Sequence, residues 1–217
     1  MQKYDAVLFD LDGTITASAE GIKKCIELTM TELHKPCPDL SDYSKYIGPP
    51  LNRTFSLLCG LSDDDVARAL PIYRGYYDLH GTVANRLFDG VREVLERLKQ
   101  SPMKVAVCTS KNERLARDVI ARLDIGAYLD AICGSRDDGS RKEKPDLIPY
   151  ALETLGNIPP SRAVMIGDTY FDTLGAVATG VDFIGVTYGY GTRGAMEDAG
   201  AAKFAAAPAD ILTYLFQ

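Results

Sequence analysis

Short apolar runs alternate with helical patterns along most of this chain. Five runs have the composition of buried strands, least clearly the third: AVLF (6–9), KVAVCT (104–109), YLDAICG (128–134), AVMIGD (163–168) and DFIGVTY (182–188). Because these runs are mostly continuous rather than alternating, they predict strands covered on both faces, as in a parallel sheet. Helical patterns lie between or beyond them, at 90–100, 112–123, 144–155, 171–180 and 208–216. The succession predicts an α/β fold with a doubly wound, Rossmann-like parallel sheet.

One stretch near the N-terminus interrupts this succession. From about Thr16 to Arg86 the sequence shows no convincing strand, and prolines separate its helical patterns. These patterns lie at 18–33, 51–58 and 62–79. We therefore expect an α-helical cap domain at 16–85, inserted into an α/β core domain that comprises 1–15 and 86–217.

Composition limits the classes of function. The 217 residues are 46% hydrophobic and 25% charged, which is typical of a globular chain. The net charge is −6 and the sequence pI is about 5.0. Because nucleic acids and many membrane surfaces are anionic, this charge argues against a nucleic-acid polymer or a membrane as partner.

Cysteine usage and the lack of targeting signals indicate a compartment. The five cysteines are odd in number and form no CxxC pair, which favours reduced thiols. No apolar stretch approaches 18 residues, and the N-terminus leads directly into the first predicted strand without a signal peptide. We expect a cytoplasmic protein that is a monomer or a weak oligomer, although the sequence does not fix its oligomeric state.

Two pairs of acids follow two of the predicted strands. Asp10 and Asp12 end the first apolar run, and Asp168 and Asp172 follow the run at 163–168. Side chains alternate along an extended chain, so residues two apart point the same way. In open α/β sheets the chemistry gathers at the carboxyl ends of the strands. We expect these acids to share one crevice.

A hydroxyl pair and a lysine are predicted to join them. Thr109 and Ser110 end the second run, and Lys144 follows the weaker third run, at 128–134. Each residue alone is more typical of a cap, a turn or a surface charge. Together, dense carboxylates suit Mg²⁺, while a lysine and backbone N–H groups suit a phosphoryl group. The set predicts a phosphoryl-transfer site.

Four short motifs carry a family resemblance. FDLDGT, VCTSKN, KEKPD and MIGDTYFD resemble, in order and strand context, the four motifs of the haloacid dehalogenase superfamily of phosphohydrolases. IGPPL (47–51) and GYGT (189–192) are similar to its phosphoglycolate phosphatase-like branch, and 134–152 resembles a 5'-nucleotidase-like subgroup. The family often has an acid where this chain has Ala17, which we interpret as a local change in helix start or hinge.

The resemblance implies a role for each acid. Asp10 would be the nucleophile that forms an aspartyl-phosphate, and Asp12 would protonate the leaving alcohol and later activate water. Mg²⁺ would be held by Asp10, Asp168 and the backbone carbonyl of Asp12. Asp172 would be either a further metal ligand or, as we favour, a group that orients Lys144 or a metal-bound water.

The resemblance also implies how the substrate is held. Thr109, the Ser110 N–H and Lys144 would bind the phosphoryl oxygens. The loop YIGPPLNRTF (46–55) would set specificity, through Gly48 and through Arg53 meeting a distal anion, although a solvated Arg53 is at least as consistent with the sequence. The expected partner is a small phosphorylated metabolite, first phosphoglycolate and otherwise a nucleoside monophosphate.

Several alternatives remain open. CTSKNER (108–114) fits the Cys-x5-Arg signature of cysteine-based phosphatases, but Glu113 would oppose an anion there. GYGTRG (189–194) fits GxGxxG, although too little chain follows for a dinucleotide unit, so we predict a turn. A pyrophosphatase is a further alternative. A phosphomutase would be expected to have a cap histidine where this chain has Ile22, a dehalogenase would not need Asp12, and a non-catalytic binding module would not need the intact acids.

Overall fold

The computed structural model describes residues 3–136, 138 and 141–216. Six strands of the described chain form one parallel sheet in the order β5-β4-β1-β6-β7-β8, and β2 and β3 form a separate antiparallel pair. The strands are β1 Ala6–Phe9, β2 Thr16–Ala17, β3 Arg86–Leu87, β4 Lys104–Asn112, β5 Ala131–Ser135, β6 Ala163–Gly167, β7 Asp182–Val186 and β8 Phe204–Ala205. The predicted doubly wound α/β fold is confirmed.

Helices cover both faces of the sheet. In chain order they are α1 Ala19–Glu32, α2 Leu51–Arg53, α3 Asp63–Tyr76, α4 Thr82–Ala84, α5 Val91–Lys99, α6 Glu113–Arg122, α7 Lys144–Thr154, α8 Tyr170–Thr179, α9 Arg193–Asp198 and α10 Pro208–Leu215. Along β1, Ala6 and Leu8 belong to one apolar cluster with α7, whereas Val7 and Phe9 belong to another with α5, α6 and α10. Alternate side chains of a strand point to opposite faces, which explains why the strand is apolar throughout.

The strand order creates a crevice at the end of β1. This strand pairs with β4 on one side and with β6 on the other. The chain connections therefore run to opposite sides of β1, which makes the end of this strand a topological switch point. Ligands of open α/β sheets bind in the crevice beyond such a point. Residues that follow β1, β4 and β6 meet there.

Between β2 and β3 lies a region that we call the helical segment, residues 19–84. The prediction that no strand occurs between Thr16 and Arg86 is wrong at both ends, because Thr16 pairs with Leu87 and Ala17 with Arg86. Two-residue strands are too short to produce a periodic pattern. This short pair links the point where the chain enters the helical segment to the point where it leaves.

Side-chain caps are present at the start of some helices and absent from others. Asn112 caps α6 by accepting the Arg114 N–H at 3.1 Å, and Ser62 caps α3. Ser18 precedes α1 but makes no side-chain capping bond. The helical patterns predicted at 51–58 and 62–79 continue into π-helical turns at Thr54–Leu58 and Tyr77–Gly81, whereas β8 and α9 had no predicted counterpart.

Part of the stretch at 134–152 lies outside the described residues, namely 137, 139 and 140. Among the helices of the described chain, none combines the length and the apolar character needed to cross a membrane.

Candidate active site

Asp10 and Asp12 follow β1 at the switch point. The Asp10 N–H donates to the Ile166 carbonyl of β6 at 2.9 Å, so sheet hydrogen bonding continues to this residue. The chain then turns at Gly13, whose φ of +89° lies in the left-handed region that glycine tolerates. A Cβ at Gly13 would overlap the Asp168 carboxylate. The turn therefore brings the first pair of acids against an acid that follows β6.

Lys144 binds two of the carboxylates. Its side chain is 2% exposed, and its ammonium lies 2.9 Å from Asp10 Oδ1 and 2.6 Å from Asp172 Oδ1. The ammonium also donates to the Cys108 carbonyl at 2.7 Å. Burial lowers the pKa of Lys144, but the two carboxylates outweigh burial and raise the pKa above its ordinary value. The lysine is therefore charged, and its ammonium has three oxygen neighbours, one carbonyl and two carboxylate oxygens.

Asp168 is fully buried. Its Oδ1 accepts the Thr14 hydroxyl at 3.1 Å, and its Oδ2 accepts the Tyr190 N–H at 2.8 Å. Burial, reinforced by Asp172 and Asp10, raises the pKa of Asp168 to about 8. A nearby cation would favour its charged form.

Asp172 lies in the first turn of α8. Its Oδ2 accepts the Thr169 N–H at 3.1 Å and the Thr169 hydroxyl at 2.7 Å, which caps the helix. Its Oδ1 faces Lys144. Because Oδ2 is used by the helix cap and Oδ1 is paired with the Lys144 ammonium, the geometry favours an orienting role over direct metal ligation.

The three acids could hold a divalent cation. Asp10, Asp168 and Asp172 each offer a carboxylate oxygen, and these atoms lie within 4.8 Å of one another. Burial raises the pKa of Asp10 to about 6, although Lys144 acts in the opposite direction. Oxygen ligands at this density suit Mg²⁺, which would offset the cost of burying several charges. The residues present fit the predicted cofactor.

A cavity of about 380 Å³ opens between the sheet and the helical segment. Asp10, Asp12, Thr109 and Ser110 line it on the side of the sheet. Thr109 is buried, and its hydroxyl accepts the Lys111 N–H at 3.2 Å. A hydroxyl that accepts can also donate, so Thr109 could donate to an anionic oxygen in this cavity.

The helical segment forms an opposite wall that is largely apolar. Its residues there include Ile22, Tyr46, Ile47, Pro49, Leu70 and Tyr73. Gly48, a predicted substrate contact, also lines this wall. Its φ is +102°, and a Cβ at this position would lie 2.8 Å from Thr169 Cγ2. The loop therefore approaches the core more closely than a side chain would allow.

Arg53 lies away from the acids. Its guanidinium is 2.7 Å from Glu143 Oε1, with both side chains about half exposed. Among the described residues, Arg53 lines a second cavity near Thr169 and Tyr170 rather than the cavity beside Asp10. Its predicted contact with a distal anion stays a prediction, and the observed pair joins the helical segment to the residue before Lys144.

The rival signatures have ordinary structural explanations. Cys108 is fully buried within β4, and burial raises the pKa of its thiol, which disfavours the thiolate that a nucleophile needs. Glu113 begins α6 and pairs with Arg117 at 3.0 Å. The first part of GYGTRG, residues 189–192, forms a bend in which Gly189 and Gly191 pack against Asp168, and its last two residues begin α9.

Two residues that contact the acids of the site, Lys111 and Tyr190, were not predicted from the sequence. Lys111 lies two residues beyond Thr109, so strand alternation could have placed both on one face. Its ammonium is 2.7 Å from Asp12 Oδ2. Tyr190 binds Asp168 through its N–H. It lies in an irregular bend, where no periodic pattern in the sequence indicates which way a residue points.

The fold and the site together define a doubly wound α/β protein with buried carboxylates and a lysine at the sheet switch point. The sequence profile of the haloacid dehalogenase-like hydrolases matches residues 7–186. The chain belongs to this family, as its motifs predicted, and it is an enzyme of the hydrolase class.

Relatives and a solved structure agree with this assignment. The chain is 37% identical over 191 residues to a 5'-nucleotidase of Pseudomonas aeruginosa, covering 88% of this chain and 86% of that protein. It is 34% identical over 193 residues to a phosphoglycolate phosphatase of Thiobacillus denitrificans, covering 85% and 84%. A crystal structure described as a predicted phosphatase from Clostridium acetobutylicum superposes with a TM-score of 0.93 at 35% identity, covering 98% of each chain.

One relative has a different activity in its name. The chain is 37% identical over 185 residues to tyrosine-protein kinase PtkA of Mycobacterium tuberculosis, covering 85% of this chain but 62% of that protein. It therefore spans less than two thirds of that relative.

Proposed function

We propose that this protein is a Mg²⁺-dependent phosphomonoester hydrolase that acts through an aspartyl-phosphate on Asp10. One observation carries the proposal. The buried Asp10 carboxylate lines the cavity, pairs with the Lys144 ammonium at 2.9 Å and lies beside Asp168. A carboxylate held in this way can attack phosphorus once the repulsion between two anions is relieved.

A bound Mg²⁺ would supply that relief by neutralising negative charge on the phosphoryl group. Asp10, Asp168 and the backbone carbonyl of Asp12 are its proposed ligands. Asp172 would act indirectly, because its bond to Lys144 keeps the ammonium against Asp10.

The first step transfers the phosphoryl group to the protein. Asp10 Oδ1 is paired with Lys144, so Oδ2 is the oxygen that we expect to attack. The bond between phosphorus and the leaving oxygen breaks, and its electron pair stays on that oxygen. Asp12 gives the leaving oxygen a proton, which makes it a neutral alcohol.

The second step releases phosphate. Asp12, now a carboxylate, takes a proton from water while that water attacks the phosphorus of the aspartyl-phosphate. The bond to Asp10 breaks, and inorganic phosphate leaves. Thr109 and the Ser110 N–H would hold the phosphoryl oxygens in both steps.

The helical segment would act as a cap domain, with the division at 16–85 that the sequence predicts. It forms one wall of the cavity, and a closed cap would exclude bulk water and complete the site. The five free cysteines are consistent with the expected reducing, cytoplasmic location.

Two substrates are proposed. Phosphoglycolate is the first, by resemblance. A nucleoside 5'-monophosphate is the second, and a specific observation favours it: the cavity of about 380 Å³ has Tyr46 and Tyr73 in its wall, where aromatic rings could pack against a base. The wall also contains Ile22, whose side chain cannot transfer the proton that the expected histidine of a phosphomutase would.

Phosphate release from a substrate panel tests the proposal. The panel contains phosphoglycolate, nucleoside 5'-monophosphates, sugar phosphates, phosphotyrosine and pyrophosphate, each with Mg²⁺ and with EDTA. We expect Mg²⁺-dependent release from a monoester, and none from the Asp10→Asn variant. Release that survives EDTA, or that survives Asp10→Asn, would contradict the proposal.

A further inference from the structure

A lysine of the VCTSKN motif, Lys111, to which the family resemblance assigns no role, contacts the proposed proton donor. β4 runs from Lys104 to Asn112, and its pairing to β5 shifts register between Cys108 and Asn112. This stretch carries Lys111 into the cavity wall beside Thr109. The last residues of β4 thus contribute to the site as well as to the sheet.

The Lys111 ammonium is enclosed between the core and the helical segment. It lies 2.7 Å from Asp12 Oδ2, and the lysine side chain is 7% exposed. On its other side, the ammonium lies 4.1 Å from the centroid of the Tyr77 ring. A cation over an aromatic face is attracted to it, and the attraction grows when water is excluded.

Tyr77 is itself firmly held. Its side chain is fully buried, and its hydroxyl accepts the Asn85 side-chain N–H at 2.9 Å. A Cβ on Gly81 would overlap the ring, so the π-helical turn packs tightly around it. The ring therefore presents a fixed face to Lys111.

Asp12 is contacted from two sides. Lys111 binds its Oδ2, and the Thr16 hydroxyl lies 3.5 Å from its Oδ1. Thr16 belongs to β2, where the chain enters the helical segment. A buried ion pair adds little net stability by itself. We therefore expect the pair of Lys111 and Asp12 to orient the Asp12 carboxyl group rather than to stabilise the fold.

We propose that Lys111 is a positioning residue that aims Asp12 at the leaving oxygen, and that Tyr77 fixes the lysine while the helical segment is docked. This inference rests on the proposed function. During the first step the proton moves from Asp12 to the leaving oxygen, whose bond to phosphorus breaks. Lys111 keeps its own protons and is left paired with the new Asp12 carboxylate.

Dependence on the leaving group distinguishes this role from a structural one. A p-nitrophenolate leaves readily without a proton, whereas an alkoxide does not. The value of kcat/KM covers events through loss of the leaving group, so it reports this first step. The experiment compares p-nitrophenyl phosphate with the alkyl monoester that turns over best among phosphoglycolate, glycerol phosphate and AMP.

The test variant is Lys111→Met, which keeps the chain length and removes the charge. We expect kcat/KM to fall about 100-fold for the alkyl ester and less than about 5-fold for the aryl ester, as for partial loss of general acid catalysis. Lys111→Arg should restore part of the alkyl activity. Equal losses for the two esters, or no loss for either, would overturn the proposal.

A double variant tests whether Lys111 affects turnover through Asp12 or independently of it. In an Asp12→Asn background, Lys111→Met should lower alkyl kcat/KM by less than about 3-fold, because residues that act as a unit are non-additive. Full additivity would contradict the inference. Tyr77→Leu should reproduce the alkyl-selective loss, whereas Tyr77→Phe, which keeps the ring, should not.

Controls keep the outcomes distinct. Lys104→Met removes a lysine from the opposite end of β4, where it pairs with Asp130 at the surface, and should leave both esters unaffected. If Lys111→Met does not fold, Lys111→Gln and Lys111→Arg carry the same comparison. Asp10→Asn should abolish turnover of both esters, so activity in that variant would count against the proposed function rather than against Lys111.

Discussion

Tyr190 binds the Asp168 carboxylate and the start of α1 at the same time. Its backbone N–H donates to Asp168 Oδ2 at 2.8 Å. Its hydroxyl accepts the Ser18 N–H at 2.7 Å and the Ala19 N–H at 3.0 Å. The first helix of the helical segment is therefore capped by a residue whose backbone holds an acid of the candidate site. This arrangement also explains why Ser18 does not need to cap the helix itself.

Removing the Tyr190 hydroxyl should loosen this connection. Tyr190→Phe would leave two N–H groups at the start of α1 without their partner, and we expect the free energy of unfolding to fall by about 1–2 kcal/mol. Urea denaturation measures the change. Tyr76→Phe is the matched control, because its hydroxyl donates to Glu32 at the surface and its loss should cost less than about 0.5 kcal/mol. Equal effects at both positions would contradict a capping role for Tyr190.

Gly48 should tolerate a methyl group poorly. The Gly48→Ala variant would adopt a strained φ and would also meet Thr169, whereas Gly60→Ala has a φ of +68° with nothing within 4 Å of the added Cβ. Strain alone costs about 1–2 kcal/mol. We expect thermal denaturation to show that cost for Gly60→Ala and a larger one for Gly48→Ala, which should also have a higher KM. Indistinguishable variants would show that the close approach to Thr169 is unimportant.

The stability of the metal-free protein should fall as the pH rises. The pKa values of Asp10 and Asp168 are raised from 3.8 to about 6 and about 8, chiefly by burial. Between pH 3.8 and about 8 the folded state therefore binds more protons than the unfolded chain, so the free energy of unfolding decreases with pH in this window. Denaturation in EDTA at a series of pH values measures this contribution, which Asp168→Asn should reduce.

Mg²⁺ should reverse that trend. The cation competes with protons for these carboxylates, so its binding becomes stronger as the pH rises. We expect the increase in Tm on adding Mg²⁺ to be larger at pH 8 than at pH 5.5, and to be nearly lost in Asp168→Asn. An increase that is independent of pH, or that persists in Asp168→Asn, would place the cation elsewhere.

Cys108 should be dispensable for turnover. Its thiol is buried with a raised pKa, and the carbonyl that Lys144 binds belongs to the backbone, which Cys108→Ala retains. We expect kcat to change by less than about 3-fold, because the side chain touches no reacting group. Cys133 is its buried neighbour on β5, so Cys133→Ala is a matched control. A loss of activity confined to folded Cys108→Ala would revive the thiolate mechanism.

The central strands could be predicted because each carries its own signal. β1, β4, β6 and β7 are buried on both faces, so burial alone makes their sequences continuously apolar. β8 is only two residues long, and β2 and β3 exist because two distant parts of the chain meet. Such pairings depend on tertiary contacts that no local pattern records.

The residues of the candidate site also differ in whether a local sequence pattern could predict them. Asp10, Asp12 and Asp168 could be predicted to meet because parallel strands end at one edge of a sheet. Lys111 was missed because the predicted strand ended at Thr109, whereas the strand continues through Asn112. The pairing of Arg53 with Glu143 joins residues 90 positions apart in the chain and depends on how the helical segment docks.

Identifying the phosphorylated residue tests the nucleophile most directly. The protein is mixed with its best monoester and Mg²⁺, quenched in acid during turnover, digested and examined by mass spectrometry. We predict a phosphoryl group on Asp10 in the wild type and in Cys108→Ala, and none in Asp10→Asn. A phosphoryl group on Cys108, or on any residue other than Asp10, would contradict the aspartyl-phosphate mechanism.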